Sequence, residues 1–120
     1  MTHRQLLRFC REFRDGILDG HDSESMCFMI SAPLAGLLNA SGVQCEVEKV
    51  DLGECEHFFI RLPDGRVIDP TADQFNELFS YDMPPVYIGY ATTIQGGELQ
   101  PPRKRMTATR GRKGGGDEAV

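Results

Sequence analysis

The chain has 120 residues, 40% of them hydrophobic, which is enough for one modest core in one small domain. Its net charge of −5 is unevenly spread: residues 1–100 carry 7 Lys/Arg against 16 Asp/Glu, and residues 101–120 carry 6 against 2. An acidic body repels phosphates, so the folded part is not expected to bind nucleic acid. No apolar run approaches the roughly 20 residues of a membrane span.

The N-terminus "MTHRQLLRFCREFRDG" mixes charge with apolar residues and has no signal-peptide pattern, so a cytoplasmic setting is expected. In "RQLLRFCREFRDGIL", Leu6, Leu7, Phe9, Cys10, Phe13 and Ile17 fall roughly on one helical stripe, with Arg4, Arg8, Arg11 and Arg14 opposite. This amphipathic helix should end near Gly16 or Gly20. After the turn-rich "DGHDSES", Met26, Ile30, Leu34, Leu37 and Leu38 recur at helical spacing up to the Asn39–Gly42 stop signal. Pro33 interrupts that pattern. Either one kinked helix starts at Ser23–Ser25, which is the favoured reading, or the helix starts near Ser31 and Cys27 lies in a loop.

"VQCEVEKV" alternates Val43, Cys45 and Val47 inward with Gln44, Glu46 and Glu48 outward, as a half-buried strand does. Hairpin strands follow at 56–62 and 66–69. Between them, Pro63-Asp64-Gly65 suits a three-residue loop: a type I turn closed by a left-handed glycine. That loop sets Leu62 opposite Arg66, Arg61 opposite Val67, Ile60 opposite Ile68 and Phe59 opposite Asp69. His57, Phe59 and Arg61 then share a face that Asp69 joins from the partner strand. His57 and Asp69 become diagonal neighbours, with backbones roughly 7–8 Å apart and side chains within hydrogen-bonding reach. "PTADQFNELF" reads as a short helix capped by Thr71, and "VYIGYA" as a last strand after the "YDMPP" break. Beyond Gly96 nothing suggests order, and 101–120 should be a basic disordered tail. The expected architecture is α+β, with two N-terminal helices packed on a small antiparallel sheet.

A helix opening just before Cys27 puts its thiol in the first turn, where the dipole and unpaired N–H groups favour thiolate. Facing a His–Asp pair, such a thiolate forms a site for acyl transfer, with His57 moving the proton and Asp69 holding the imidazole. The Cys27 N–H offers one oxyanion donor; Ser25 and Gln74 are weak candidates for a second. Asp69 also suits a helix cap, Asp64 a turn, and Asp73 and Gln74 read as first-turn helix residues rather than site residues. Cys55, two residues before His57, is the rival nucleophile. His3 and His21 read as surface residues, with His21 the fallback base. The four cysteines (Cys10, Cys27, Cys45, Cys55) are expected as free thiols. A zinc site from Cys27, Cys45, Cys55 and His57 lacks the paired spacing of structural sites, so no metal or cofactor is expected.

The order Cys27, His57, Asp69, together with "HFFIRLPDGRVIDPTADQF", resembles the transglutaminase-like branch of the papain-like cysteine hydrolases. "IDPTADQF" and "PPVYIG" are also similar to segments of small bacteriophage and bacterial proteins of this kind. The likeness spans about residues 20–90. It implies a minimal papain/transglutaminase-like core for residues 1–100, with Cys27 as nucleophile, His57 as general base and acid, and Asp69 as orienting group. The implied activity is hydrolysis or transfer at an amide, isopeptide or thioester of a protein or peptide, in host cytoplasm if the protein is phage-encoded. The alternative is a catalytically silent module that docks a host or partner protein. A third reading is a nucleic-acid accessory protein that uses the basic tail, which can also hold a partner.

Overall fold

The computed structural model describes residues 1–97 and, further on, the backbone of two paired two-residue strands, Ala108–Thr109 and Gly111–Arg112. The expected domain end at residue 100 and the rest of the 101–120 tail lie outside the described residues. Two helices, α1 (His3–Leu18) and α2 (Cys27–Ala40), precede the strands β1 (Glu46–Asp51), β2 (Glu56–Arg61) and β3 (Val67–Asp69). A 3-10 turn (Ala72–Phe75) runs into α3 (Asn76–Phe79), followed by β4 (Tyr87–Gly89) and a second 3-10 turn (Thr93–Gln95). The strands form an antiparallel sheet in the order β1-β2-β3-β4, so the domain is α+β. Among the described residues no helix is long and apolar enough to cross a membrane.

The helices bury one face of the sheet. Leu6 and Cys10 of α1 and Leu34, Ala35 and Leu38 of α2 pack with Cys45, Ile60, Leu62, Ile68 and Val86. The opposite face carries a smaller cluster of Ala72, Phe75 and Ile94. Side chains alternate along β2, so Ile60 goes to the helices while His57 and Phe59 go to the small cluster. His57 meets the Phe75 ring edge-on at 4.8 Å and lies 5.9 Å from Phe59.

Several sequence expectations need correction. The buried stripe of α1 is Leu6, Cys10, Arg14 and Leu18; Leu7 and Ile17 are exposed, and Arg14, expected on the outer face, is buried. Its charge is tolerated inside because a carboxylate meets it, Asp73 at 2.9 Å. The helix α2 begins two residues after the expected Ser23–Ser25, because Ser25 takes a left-handed φ of 63° that no helical residue adopts. Pro33 lies within α2, which includes Cys27. Leu37 points outward. Thr71 precedes the Ala72–Phe75 turn but makes no capping bond, since its hydroxyl is taken by the Gln74 side chain.

The bulged hairpin follows the turn chemistry. Ile60 pairs with Ile68 and Arg61 with Val67. The Leu62 N–H donates to the Arg66 carbonyl at 2.9 Å, and the Gly65 N–H to the Leu62 carbonyl at 3.0 Å. Gly65 has φ +92°, and a β-carbon there would meet nothing within 4 Å, so a side chain is opposed by backbone strain alone. Gly65→Ala is expected to lower the unfolding free energy by about 1–2 kcal/mol, and Gly65→Asn by less, measured by urea denaturation. Equal stability of Gly65→Ala and the wild type would refute this account of the turn.

Candidate active site

His57 and Asp69 are both fully buried, and the imidazole Nε2 lies 2.7 Å from Asp69 Oδ2. The register supplies this pairing, because β2 and β3 carry both side chains to the small-cluster face as diagonal neighbours, with Phe59 opposite Asp69. The carboxylate has two further donors. The Thr71 N–H reaches Oδ1 at 3.2 Å, and the Gln95 side-chain amide donates to Oδ2 at 2.6 Å. A buried carboxylate with three donors is held as an acceptor, so the imidazole proton stands on Nε2 and the other ring nitrogen, Nδ1, is left for the nucleophile side.

Cys27 opens α2, and Met26 before it supplies no side-chain cap. The first-turn N–H groups therefore lack intrahelical acceptors and present the positive end of the helix at the sulfur. Burial pushes the Cys27 thiol up. Hydrogen bonding from His57 and from the Phe58 backbone N–H, the His57 charge and the Gln74 amide outweigh it, and the thiol lies below its ordinary 9.0. Burial likewise pushes His57 down, yet its bonds to Asp69 and Cys27 and their charges raise it from 6.5 to about 9. The two shifts have one meaning: sulfur and imidazole favour a thiolate–imidazolium pair.

The loop that delivers Cys27 is held by the Ala72–Phe75 turn. Asp73 accepts from the Ser23 hydroxyl at 2.7 Å and from Arg14 at 2.9 Å, tying α1 to the segment before the thiol. Gln74 accepts from the Ser25 N–H through Oε1 at 3.2 Å; its Nε2 donates to the Thr71 hydroxyl at 2.8 Å and lies 3.3 Å from His57 Nδ1. From the sheet side, Ser31 of α2 donates to the Phe58 carbonyl at 3.4 Å.

The structure thus brings Cys27, His57 and Asp69 together, and it brings to the site Asp73 and Gln74, read above as first-turn helix residues, Gln74 also as a weak oxyanion candidate. The Ser25 N–H is not a free donor, because it is bound to Gln74. Asp64 stays in the turn, bonded to Arg66, and His3 and His21 are exposed. Cys55 packs against the small cluster, and burial together with the charges of Cys27, Glu54 and Asp51 raises its thiol above the ordinary value. All four cysteines are free. Among the described residues, no three histidine, cysteine or carboxylate side chains converge as metal ligands do. Gln95 was missed by sequence reasoning. "TTIQ" carries a capping-box spacing, Thr92 to Gln95, which signals a local turn; nothing in it signals Asp69, 26 residues earlier.

Compared with protein-family models, with curated proteins and with solved structures, the chain gives no match.

Two outcomes follow from these environments. Cys27 should alkylate with iodoacetamide below about pH 8, faster than Cys10, Cys45 and Cys55, and His57→Ala should return it to ordinary thiol behaviour. The imidazolium's contribution to stability is full below pH 6.5 and is lost as pH rises through about 9, the His57 value. Separately, Gln95→Leu leaves Asp69 short of a donor and the Thr92 N–H and hydroxyl without their acceptor. It should cost about 1.5–3 kcal/mol in thermal or urea unfolding; a neutral effect would contradict the buried network.

Proposed function

We propose that this chain is a thiol-dependent acyltransferase or hydrolase with a minimal core of the papain/transglutaminase-like type. The observation that carries the reading is the meeting of a helix-opening Cys27 with a His57 that a buried, three-donor Asp69 orients. The opposed shifts of thiol and imidazole are those needed by a nucleophile and its acid partner.

In the proposed reaction the Cys27 thiolate attacks the carbonyl carbon of an amide, isopeptide or thioester. The sulfur–carbon bond forms as the carbonyl π pair moves to oxygen. When the tetrahedral adduct collapses, the bond to the leaving group breaks and His57 gives its Nδ1 proton to the departing amine or thiol. Asp69 keeps the proton on Nε2 throughout and steadies the charged ring. The acyl group then passes from sulfur to water or to another acceptor, with His57 taking the acceptor's proton. The substrate proposed is a protein or peptide carrying such a bond. A reducing compartment such as the cytoplasm suits a site that depends on a free thiol.

The test is activity-based labelling of the wild type against Cys27→Ala, Cys55→Ala and His57→Ala, followed by intact mass. Label should survive in Cys55→Ala and be lost in Cys27→Ala and His57→Ala. Acyl transfer should follow a bell-shaped pH profile. The acid limb belongs to Cys27 below its ordinary 9.0, and the alkaline limb falls as His57 loses its proton through about 9. Slow and equal labelling of all four thiols would favour a silent binding module, and label lost only in Cys55→Ala would move the nucleophile.

A further inference from the structure

We propose that Ser23 and Asp73 are positioning residues for the thiol: their hydrogen bond, backed by Arg14 of α1, holds the chain before Cys27 in a strained turn that sets the sulfur against His57. The proposal rests on the acyl-transfer reading above and adds to it the device that aligns the nucleophile.

The chain entering α2 is strained. The Met26 N–H donates to the Ser23 carbonyl at 3.1 Å, which closes a β-turn over Ser23–Met26. Ser25 is the third residue of that turn and has φ 63°. A type II turn gives that position to glycine, because a β-carbon opposes the left-handed backbone. A serine stays there only while its surroundings hold it. Two adjacent residues of the Ala72–Phe75 turn do so. Asp73 Oδ1 accepts from the Ser23 hydroxyl at 2.7 Å, and Gln74 Oε1 accepts from the Ser25 N–H at 3.2 Å. Cys27 follows two residues after Ser25, as the first residue of α2.

The two anchors differ in strength. A hydroxyl donating to a carboxylate makes the stronger, charge-assisted bond, and Ser23 is buried, so water competes little for it. The carboxylate is itself fixed from α1. Arg14 Nη2 donates to Asp73 Oδ2 at 2.9 Å, whereas Arg14 Nη1 lies 3.8 Å from the exposed Asp15. Among the described residues the buried Arg14 Nε has no acceptor. The guanidinium thus makes its one close bond to Asp73, on the oxygen that Ser23 leaves free.

The same short turn meets the imidazole. Gln74 Nε2 lies 3.3 Å from His57 Nδ1, and the Phe75 ring stands edge-on at 4.8 Å. Loop and ring are therefore referenced to one element, residues 73–75. Without the Ser23 hydroxyl, Ser25 relaxes toward a common backbone region and the turn carries Met26 and Cys27 with it. The imidazole stays, since β2 and Asp69 hold it. A thiol parted from the ring returns to ordinary protonation and reacts little at acid pH.

The test follows iodoacetamide alkylation of each cysteine at about pH 6, by mass spectrometry on the full chain. Wild type is compared with Ser23→Ala, Asp73→Ala and the double variant. Cys10 and Cys45 report the fold, since both are buried in the helix-side core. Ser23→Ala is expected to slow Cys27 by about 10- to 100-fold while Cys10 and Cys45 stay unreactive. The pH midpoint of Cys27 alkylation should rise toward the ordinary 9.0. The double variant should be no slower than Asp73→Ala, because both substitutions break one bond. An unchanged Cys27 rate in Ser23→Ala overturns the proposal, as do additive losses. So does a change accompanied by alkylation of Cys10 and Cys45, which marks a hydroxyl that only supports the fold. Should Asp73→Ala not fold, Ser23→Ala decides alone. If wild-type Cys27 alkylates no faster than the other thiols, the acyl-transfer reading itself fails, an outcome distinct from an unchanged rate in Ser23→Ala.

Discussion

Two buried side chains on neighbouring strands, His57 and Asp69, are joined by a 2.7 Å hydrogen bond that water cannot replace. An isolated carboxylate at that depth would be driven to protonate, and an isolated imidazole would stay neutral. Together, with the Thr71 N–H and the Gln95 amide on the same carboxylate, they hold a charge inside the domain. Everything proposed for Cys27 depends on that, because only an imidazole anchored through Nε2 keeps Nδ1 for the sulfur side. The pairing in turn depends on one turn. Remove a residue from Pro63-Asp64-Gly65 and Asp69 moves to the helix-covered face, among Ile60 and Ile68.

The site is assembled from three parts of unequal rigidity. β2 and β3 are fixed by the ladder and by the core beneath them. The mouth of α2 is fixed by its packed stripe, Ile30, Leu34 and Leu38, and by Ser31 on the Phe58 carbonyl. The loop of residues 19–26 has no core of its own and is held instead by a half-buried ion pair. Arg14 on α1 and Ser23 in the loop meet on Asp73, and Ser25 meets Gln74 next to it. One short turn, Ala72–Phe75, therefore links the N-terminal helix, the loop before the thiol and the imidazole. Phe75 from the same turn packs edge-on against the ring. A domain of this size has little apolar surface to spare, and polar clamps take over where packing runs out.

Local sequence was enough for much of this. The three-residue turn carries its own conformational preferences, the strands keep strict alternation, and the two together dictate which residues share a face. So the hairpin register, the His57–Asp69 pairing and an α+β order were all legible in the chain. So was a helix opening near Cys27, since the apolar spacing after it and the turn-rich segment before it bracket the start. What alternation and periodicity cannot report is the partner of a polar residue. Arg14 looked like a solvated charge, because nothing within a helical turn distinguishes an arginine facing water from one facing a carboxylate 59 residues away. Gln74 was only a weak oxyanion candidate and Gln95 went unnoticed for the same reason; their partners lie 49 and 26 residues off. The sequence by itself determined the short-range geometry, because turns and strands are governed by sterics between near neighbours. Only the tertiary structure decided which buried polar groups meet, because satisfying them needs donors and acceptors brought together by the packing of the whole domain.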